Sequence, residues 1–163
     1  MALIFAVDDD SQVRELIKVL FEDQGHEVLP LESGKQCLDR LDENPSAIFL
    51  DMVMPEMDGM TTLKAIREIQ KDLPVVMATS VNDSESIVRA MKLGAFDYIV
   101  KPFDETRLFA ILNNALDQVD LVGQVNYLKD ELNRIQGVGG IVGSSKALTH
   151  TLEKIYKVGT SSA

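Results

Sequence analysis

The sequence predicts an α/β protein, a (βα)5 doubly wound parallel sheet with a helical extension at its C-terminal end. Three observations carry this prediction. Apolar runs of strand length recur at Leu3–Val7, Glu27–Pro30, Ala47–Leu50, Pro74–Thr79 and Phe96–Val100. Each is separated from the next by a stretch of helical length, so the pattern is a strict β-α alternation. The strands are near-continuously apolar rather than alternating, as expected of a parallel sheet whose crossover helices cover both faces.

The elements follow in order. The first strand, Leu3–Val7, ends on Asp8-Asp9-Asp10, and Ser11 is then a fair N-cap for a helix carrying Val13, Leu16, Ile17 and Leu20 on one face. Gly25 stops that helix. A second strand from Glu27 leads to a helix near 34–43, which holds the single cysteine, Cys37. The third strand ends on Asp51, turns through Met52-Val53-Met54-Pro55-Glu56-Met57-Asp58, and enters a helix over 59–70. The fourth strand closes on Thr79. A helix over 84–93 follows, and Gly94 after Met91 and Leu93 is its stop signal. The fifth strand ends at Val100, Lys101-Pro102 follows, and a helix is expected over 103–120.

Beyond residue 120, Leu121, Val125, Leu128, Leu132 and Ile135 recur at alternating spacings of four and three. That is an a/d seam, with Gln124, Asn126, Lys129, Asp130, Asn133 and Arg134 leaving the other faces polar. A helix packed on its own domain is one reading and a dimerising coiled coil the favoured one. Gly137-Val138-Gly139-Gly140 is expected to break this helix, and Leu148, Leu152, Ile155 and Val158 then mark one face of another. A one-sided helix with nothing to cover it suggests a chain that ends inside a second domain.

Composition bounds the function. The 163 residues, 45% of them hydrophobic, suit one domain and an appendage. The formal charge of −10 is concentrated before residue 129, where 23 acids meet 11 basic residues. Direct nucleic-acid binding is therefore not expected, because it needs clustered Lys and Arg. One cysteine excludes an internal disulfide and fits a reducing compartment. No basic region precedes the first apolar run, so neither a signal peptide nor a membrane span is expected, and the setting read from the sequence is cytoplasmic.

The chemistry lies where strands end in polar groups. Two carboxylates ~4 Å apart repel by about 4 kcal/mol at an effective dielectric of 20. Asp8, Asp9 and Asp51 gathered on one rim thus need compensating cations. Lys101 can offset one acid, and Mg²⁺ suits the rest because it prefers oxygen ligands between carboxylates and a phosphate. In such a site an aspartate can attack phosphorus, and Asp51 is the candidate nucleophile. Taken singly, each acid reads better as a solvated strand end; their occurrence together with Thr79 and Lys101 favours chemistry.

With these residues in place, the chain over 1–120 resembles the receiver domain of bacterial two-component response regulators. The resemblance rests on the acidic pair Asp8 and Asp9, the motif D-x-x-M-P-x-M-D-G from Asp51 to Gly59, Thr79, and Lys101-Pro102-Phe103. It implies a flavodoxin-like sheet of order 2-1-3-4-5, whose acids meet at the switch point between strands 1 and 3. It implies a histidine kinase as phosphoryl donor and Asp51 as acceptor. Mg²⁺ would be bound by Asp9 directly, by Asp8 mostly through water, by Asp51 and by the Val53 carbonyl. Lys101 and Thr79 would contact the phosphoryl group, with Tyr98 as the switch aromatic and Lys101-Pro102 in the cis form. At Tyr98 an ordinary half-buried aromatic stays open as the other reading. Met52, Met54, Met57 and Met60 read as packing residues. Val53 and Val81 stand where relatives carry polar residues, from which a long-lived phosphoryl group is expected.

Ile141-Val142-Gly143-Ser144-Ser145-Lys146-Ala147-Leu148 is similar to the opening of the AAA+ module of sigma-54-dependent activators of the NtrC type. The implied division is a receiver at 1–120, a coiled-coil linker at 121–136 and the start of an AAA+ domain at 137–163. Sigma-54 RNA polymerase and DNA would be partners of the whole protein, acting as a homodimer. The phosphate-binding loop G-x-x-x-x-G-K-[ST] does not occur, so this chain is not expected to be an enzyme. Two alternatives fit the sequence less well. A phosphorelay carrier would not need the seam. A Mg²⁺-dependent aspartyl-phosphate phosphatase would need D-x-D-x-[TV] at Asp8, Asp10 and Gln12, and Gln12 breaks it.

Overall fold

The structure, a computed structural model, describes residues 1–80 and 84–139. Five strands, β1 (Leu3–Val7), β2 (Glu27–Leu31), β3 (Ala47–Asp51), β4 (Val75–Thr79) and β5 (Asp97–Val100), alternate with α1 (Ser11–Asp23), α2 (Gly34–Asp39), α3 (Gly59–Ile69), α4 (Ser84–Lys92) and α5 (Glu105–Gly139). The strands form one parallel sheet in the order β2-β1-β3-β4-β5, as expected. The chain divides into two compact units, Met1–Asp117 and Gln118–Ala163.

Alternation along each strand splits the core into two layers. Phe5, Val7, Ile48, Leu50, Val75 and Met77 face one way and pack with Cys37 of α2, Leu63 and Ile66 of α3 and Ala90 of α4. Ile4, Ala6, Phe49, Val76 and Ala78 face the other way, onto Ile17 and Phe21 of α1 and Leu108, Ile111 and Leu112 of α5. There the Phe21 and Phe49 rings tilt against each other with centroids 5.0 Å apart. Every residue of β3 and β4 is buried, which explains their unbroken apolar runs.

Several boundaries differ from expectation. The N-cap of α1 is Asp10, not Ser11: Asp10 is extended and its carboxylate accepts from the Gln12 N–H at 2.9 Å, while Ser11 is already helical. Leu16 is 43% exposed and not on the buried face. The covered stripe runs through Val13, Ile17, Leu20 and Phe21, and Leu16 stands about 40° beyond its Leu20 edge. The region 34–43 is α2 plus a separate 3-10 turn, Leu41–Glu43. Gly25 and Gly94 do end α1 and α4, with φ of +89° and +100°.

The largest departure concerns the C-terminal helix. The expected helix over 103–120 and the seam helix are one element, α5, which passes Gly137 and is described to Gly139, inside the Gly137-Val138-Gly139-Gly140 run expected to break it. A glycine costs a helix interior only about 1 kcal/mol and leaves the N–H donor in place, so Gly123 and Gly137 are tolerated where proline would not be. The helix begins at Glu105 because Asp104 caps it, accepting from the Thr106 N–H at 2.9 Å. Val81 and the residues from Ile141 to Val158 that carried the expectations above lie outside the described residues.

Candidate functional site

Two neighbouring strands deliver the acids. Val7 pairs with Leu50, so the residues that follow them, Asp8 and Asp51, leave the sheet side by side at its carboxyl edge. Both are buried, 2% and 5% exposed, whereas Asp9 is exposed. Carboxylate oxygens of Asp8, Asp9 and Asp51 lie within 4.8 Å of one another. Lys101, one residue past β5, reaches back over the edge: its Nζ lies 2.7 Å from Asp8 Oδ2 and 3.1 Å from Asp51 Oδ1. The Lys101-Pro102 peptide is cis.

Electrostatics follows from this crowding. Burial, then the charge of Asp8, push the Asp51 carboxyl up to about 6, against the opposing pull of Lys101 and the Val53 N–H. Burial pulls Lys101 down, but its hydrogen bond to Asp8 and the charges of both acids outweigh that, and its net shift is upward. The lysine is therefore charged at neutral pH and the acids remain in excess. Three hard oxygen donors this close together, with one lysine to offset them, suit a divalent cation of the Mg²⁺ kind.

Thr79 ends β4, is buried, and its carbonyl accepts from the Lys101 N–H at 2.7 Å, so it joins the site through the main chain as well as by position. Tyr98 lies in β5, half-buried, with the Arg107 guanidinium 5.6 Å from its ring centroid and donating to its carbonyl at 3.3 Å. Val53 is 71% exposed, and its N–H stands 3.5 Å from Asp51 Oδ1. Met52 and Met54 are buried and Met60 packs on the same layer, as packing residues should.

The rest of the motif after Asp51 is architectural. Asp58 caps α3, accepting from the Thr61 N–H at 2.8 Å, and that bond holds its carboxyl below the usual range. A Cβ at Gly59 would sit 2.3 Å from the Asp51 carbonyl oxygen, so only glycine lets α3 start against the end of β3. Two residues of the site escaped sequence reasoning: Arg107, and Arg14, whose Nη1 donates to the Asp8 carbonyl oxygen at 2.6 Å. Neither lies in an apolar run or a motif. The one available signal is a cation in the opening turns of α1, where the helix dipole disfavours it.

A doubly wound sheet with three acids and a lysine converging at its switch point fits the class of phospho-acceptor regulatory domains that the sequence resembles. Comparison with known proteins gives the family: residues 4–113 match the response regulator receiver domain, and the chain belongs to it. It is 32% identical over 161 residues to Regulatory protein AtoC of Escherichia coli (strain K12), covering 98% of this chain and 35% of that protein. It is 31% identical over 156 residues to the DNA-binding transcriptional regulator NtrC of Proteus hauseri, covering 95% and 32%. Among solved structures, a response regulator receiver domain protein from Clostridium thermocellum superposes with a TM-score of 0.71 at 34% identity, over 75% of this chain and 99% of that one. The chain thus spans about a third of the length of these curated relatives. Among the described residues no helix is long and apolar enough to cross a membrane.

Proposed function

We propose that Asp51 accepts a phosphoryl group from the phosphohistidine of a kinase. One Asp51 carboxylate oxygen attacks phosphorus, the P–N bond breaks, and its electron pair leaves with the imidazole. What carries this reading is the position of Asp51, buried at the end of β3 and bonded to Lys101 inside a cluster of acids. Asp9, Asp51 and the Val53 carbonyl would hold Mg²⁺, with Asp8 contributing through water. When bound, the ion neutralises charge on the transferring oxygens. Lys101 follows the charge from the carboxylate to the phosphoryl oxygens, a step its ammonium can take without leaving Asp8. Thr79 then donates its hydroxyl to the phosphoryl group, and Tyr98 responds by repacking along α4, β5 and α5.

The chain itself is not an enzyme in this reading. Residues 1–120 are the receiver, 121–136 a linker that dimerises through Leu121, Val125, Leu128, Leu132 and Ile135, and 137–163 the start of an AAA+ domain. In the whole protein, which acts in the cytoplasm, a phosphorylation-dependent change in dimer contacts would govern a sigma-54-type activator touching RNA polymerase and DNA. The test is the intact mass after incubation with Mg²⁺ and acetyl phosphate, beside oligomeric state on the same samples. A phosphoryl adduct in wild type that is lost in Asp51→Asn supports the assignment. An adduct that persists in Asp51→Asn removes it.

A further inference from the structure

Arg14 sits one turn into α1, its N–H donating to the Asp10 carbonyl at 3.2 Å. Its side chain is half-buried at the end of a helix whose dipole disfavours a cation, so two costs weigh against arginine there. In return it engages the Asp8 carbonyl oxygen at 2.6 Å. Every polar atom of Asp8 is then held. The N–H donates to Leu31 at 3.1 Å, Oδ1 accepts from the Asp10 N–H at 2.9 Å, and Oδ2 meets Lys101 at 2.7 Å.

The carbonyl that Arg14 holds belongs to the Asp8-Asp9 peptide, and rotation of that peptide redirects both side chains. Asp8 has other anchors. Asp9 is exposed, and its direction depends on its backbone. We propose that Arg14 is a positioning residue of the divalent-cation site: through the main chain of Asp8 it keeps the Asp9 carboxylate turned toward Asp51. The inference rests on the reading of these acids as Mg²⁺ ligands. It acts by geometry and not by charge, and the two run in opposite directions. Removing a positive charge from the rim would by itself tighten cation binding, whereas losing an outer support loosens it.

Calorimetric titration of Mg²⁺ into the full chain distinguishes them, with wild type, Arg14→Met and Arg14→Lys compared, and with thermal midpoints taken in EDTA to verify folding. Arg14→Met is expected to weaken Mg²⁺ by about tenfold, the low end for loss of an outer-shell contact. The Mg²⁺ needed for half-maximal acetyl phosphate labelling should rise by the same factor, with the maximal rate unchanged. Arg14→Lys, which keeps the charge and a donor, should fall between, and it carries the test if the methionine variant does not fold. Unchanged or tighter Mg²⁺ binding in the variants overturns the proposal. Wild type that binds no Mg²⁺ overturns the reading beneath it as well.

Discussion

The stretch of α5 from Glu105 to Asp117 and the stretch after it are built from the same residue types and meet different surroundings. In the first, Leu108, Ile111, Leu112 and Ala115 are at most 3% exposed, and the first three complete the layer formed by Ile4, Phe49 and Val76. In the second, Leu121 is 49% and Ile135 44% exposed, with Val125, Leu128 and Leu132 between buried and exposed. The width of the stripe separates them. A helix laid on a sheet needs the broad i, i+3, i+4, i+7 face that Leu108, Ile111, Leu112 and Ala115 supply, whereas a seam one residue wide at spacings of four and three fits another helix. Periodicity thus specifies a face, and its width tells what kind of surface can cover it.

Four measurements break or sharpen this comparison. The largest effect is expected from Leu112→Ala, which should cost about 2–5 kcal/mol in urea unfolding because it leaves a cavity in a filled layer. Leu128→Ala should leave that transition in place, and an equal loss would mean that the seam is covered from within its own chain.

Burial in the unit that the first stretch completes acts on charges as well as on carbon. Asp51 ionises at about 6 where an ordinary carboxyl does so near 3.8, so its charge opposes folding in the absence of metal. Near pH 3 the carboxyl is protonated both folded and unfolded and contributes nothing. As pH rises through about 6 the penalty reaches its full size. Asp51→Asn should therefore stabilise the metal-free protein by on the order of 2 kcal/mol at pH 8 and not at pH 3, read from urea midpoints in EDTA. A stability difference that does not depend on pH would show that the carboxylate is not strained by its site.

Leu128→Ala should weaken self-association by about tenfold or more, measured by sedimentation of the full chain, since it truncates the centre of the seam in both partners. The smallest effect belongs to the exposed Glu131–Arg134 pair of the second stretch. Glu131→Gln should shift stability by less than about 0.5 kcal/mol, because solvent screens the pair. The contrast with Lys101, whose partners Asp8 and Asp51 are both nearly buried, is the electrostatic form of the same comparison.

The sheet and the acidic rim were legible because the central strands are continuous apolar runs with a polar residue at or just past their ends, and a run's end is a sharp sequence event. Asp8, Asp51, Thr79 and Lys101 were all found that way. What escaped was set by angle or contact. Leu16 is apolar and lies in a helix, yet about 40° of rotation past Leu20 puts it outside the covered stripe. Gly59 marks the end of a motif in the sequence, and only the 2.3 Å approach to the Asp51 carbonyl shows why nothing larger fits.

By itself the sequence determined the order of elements, the parallel sheet, and which residues stand at the strand ends, because hydrophobic period and chain direction are local properties that survive in one dimension. Only the tertiary structure decided that Lys101 bridges Asp8 and Asp51, that Arg14 grips the Asp8 carbonyl, and that Arg107 lies over Tyr98. Those contacts join residues brought together by strand pairing and helix packing. Their strength depends on distance and burial, neither of which can be read along a chain.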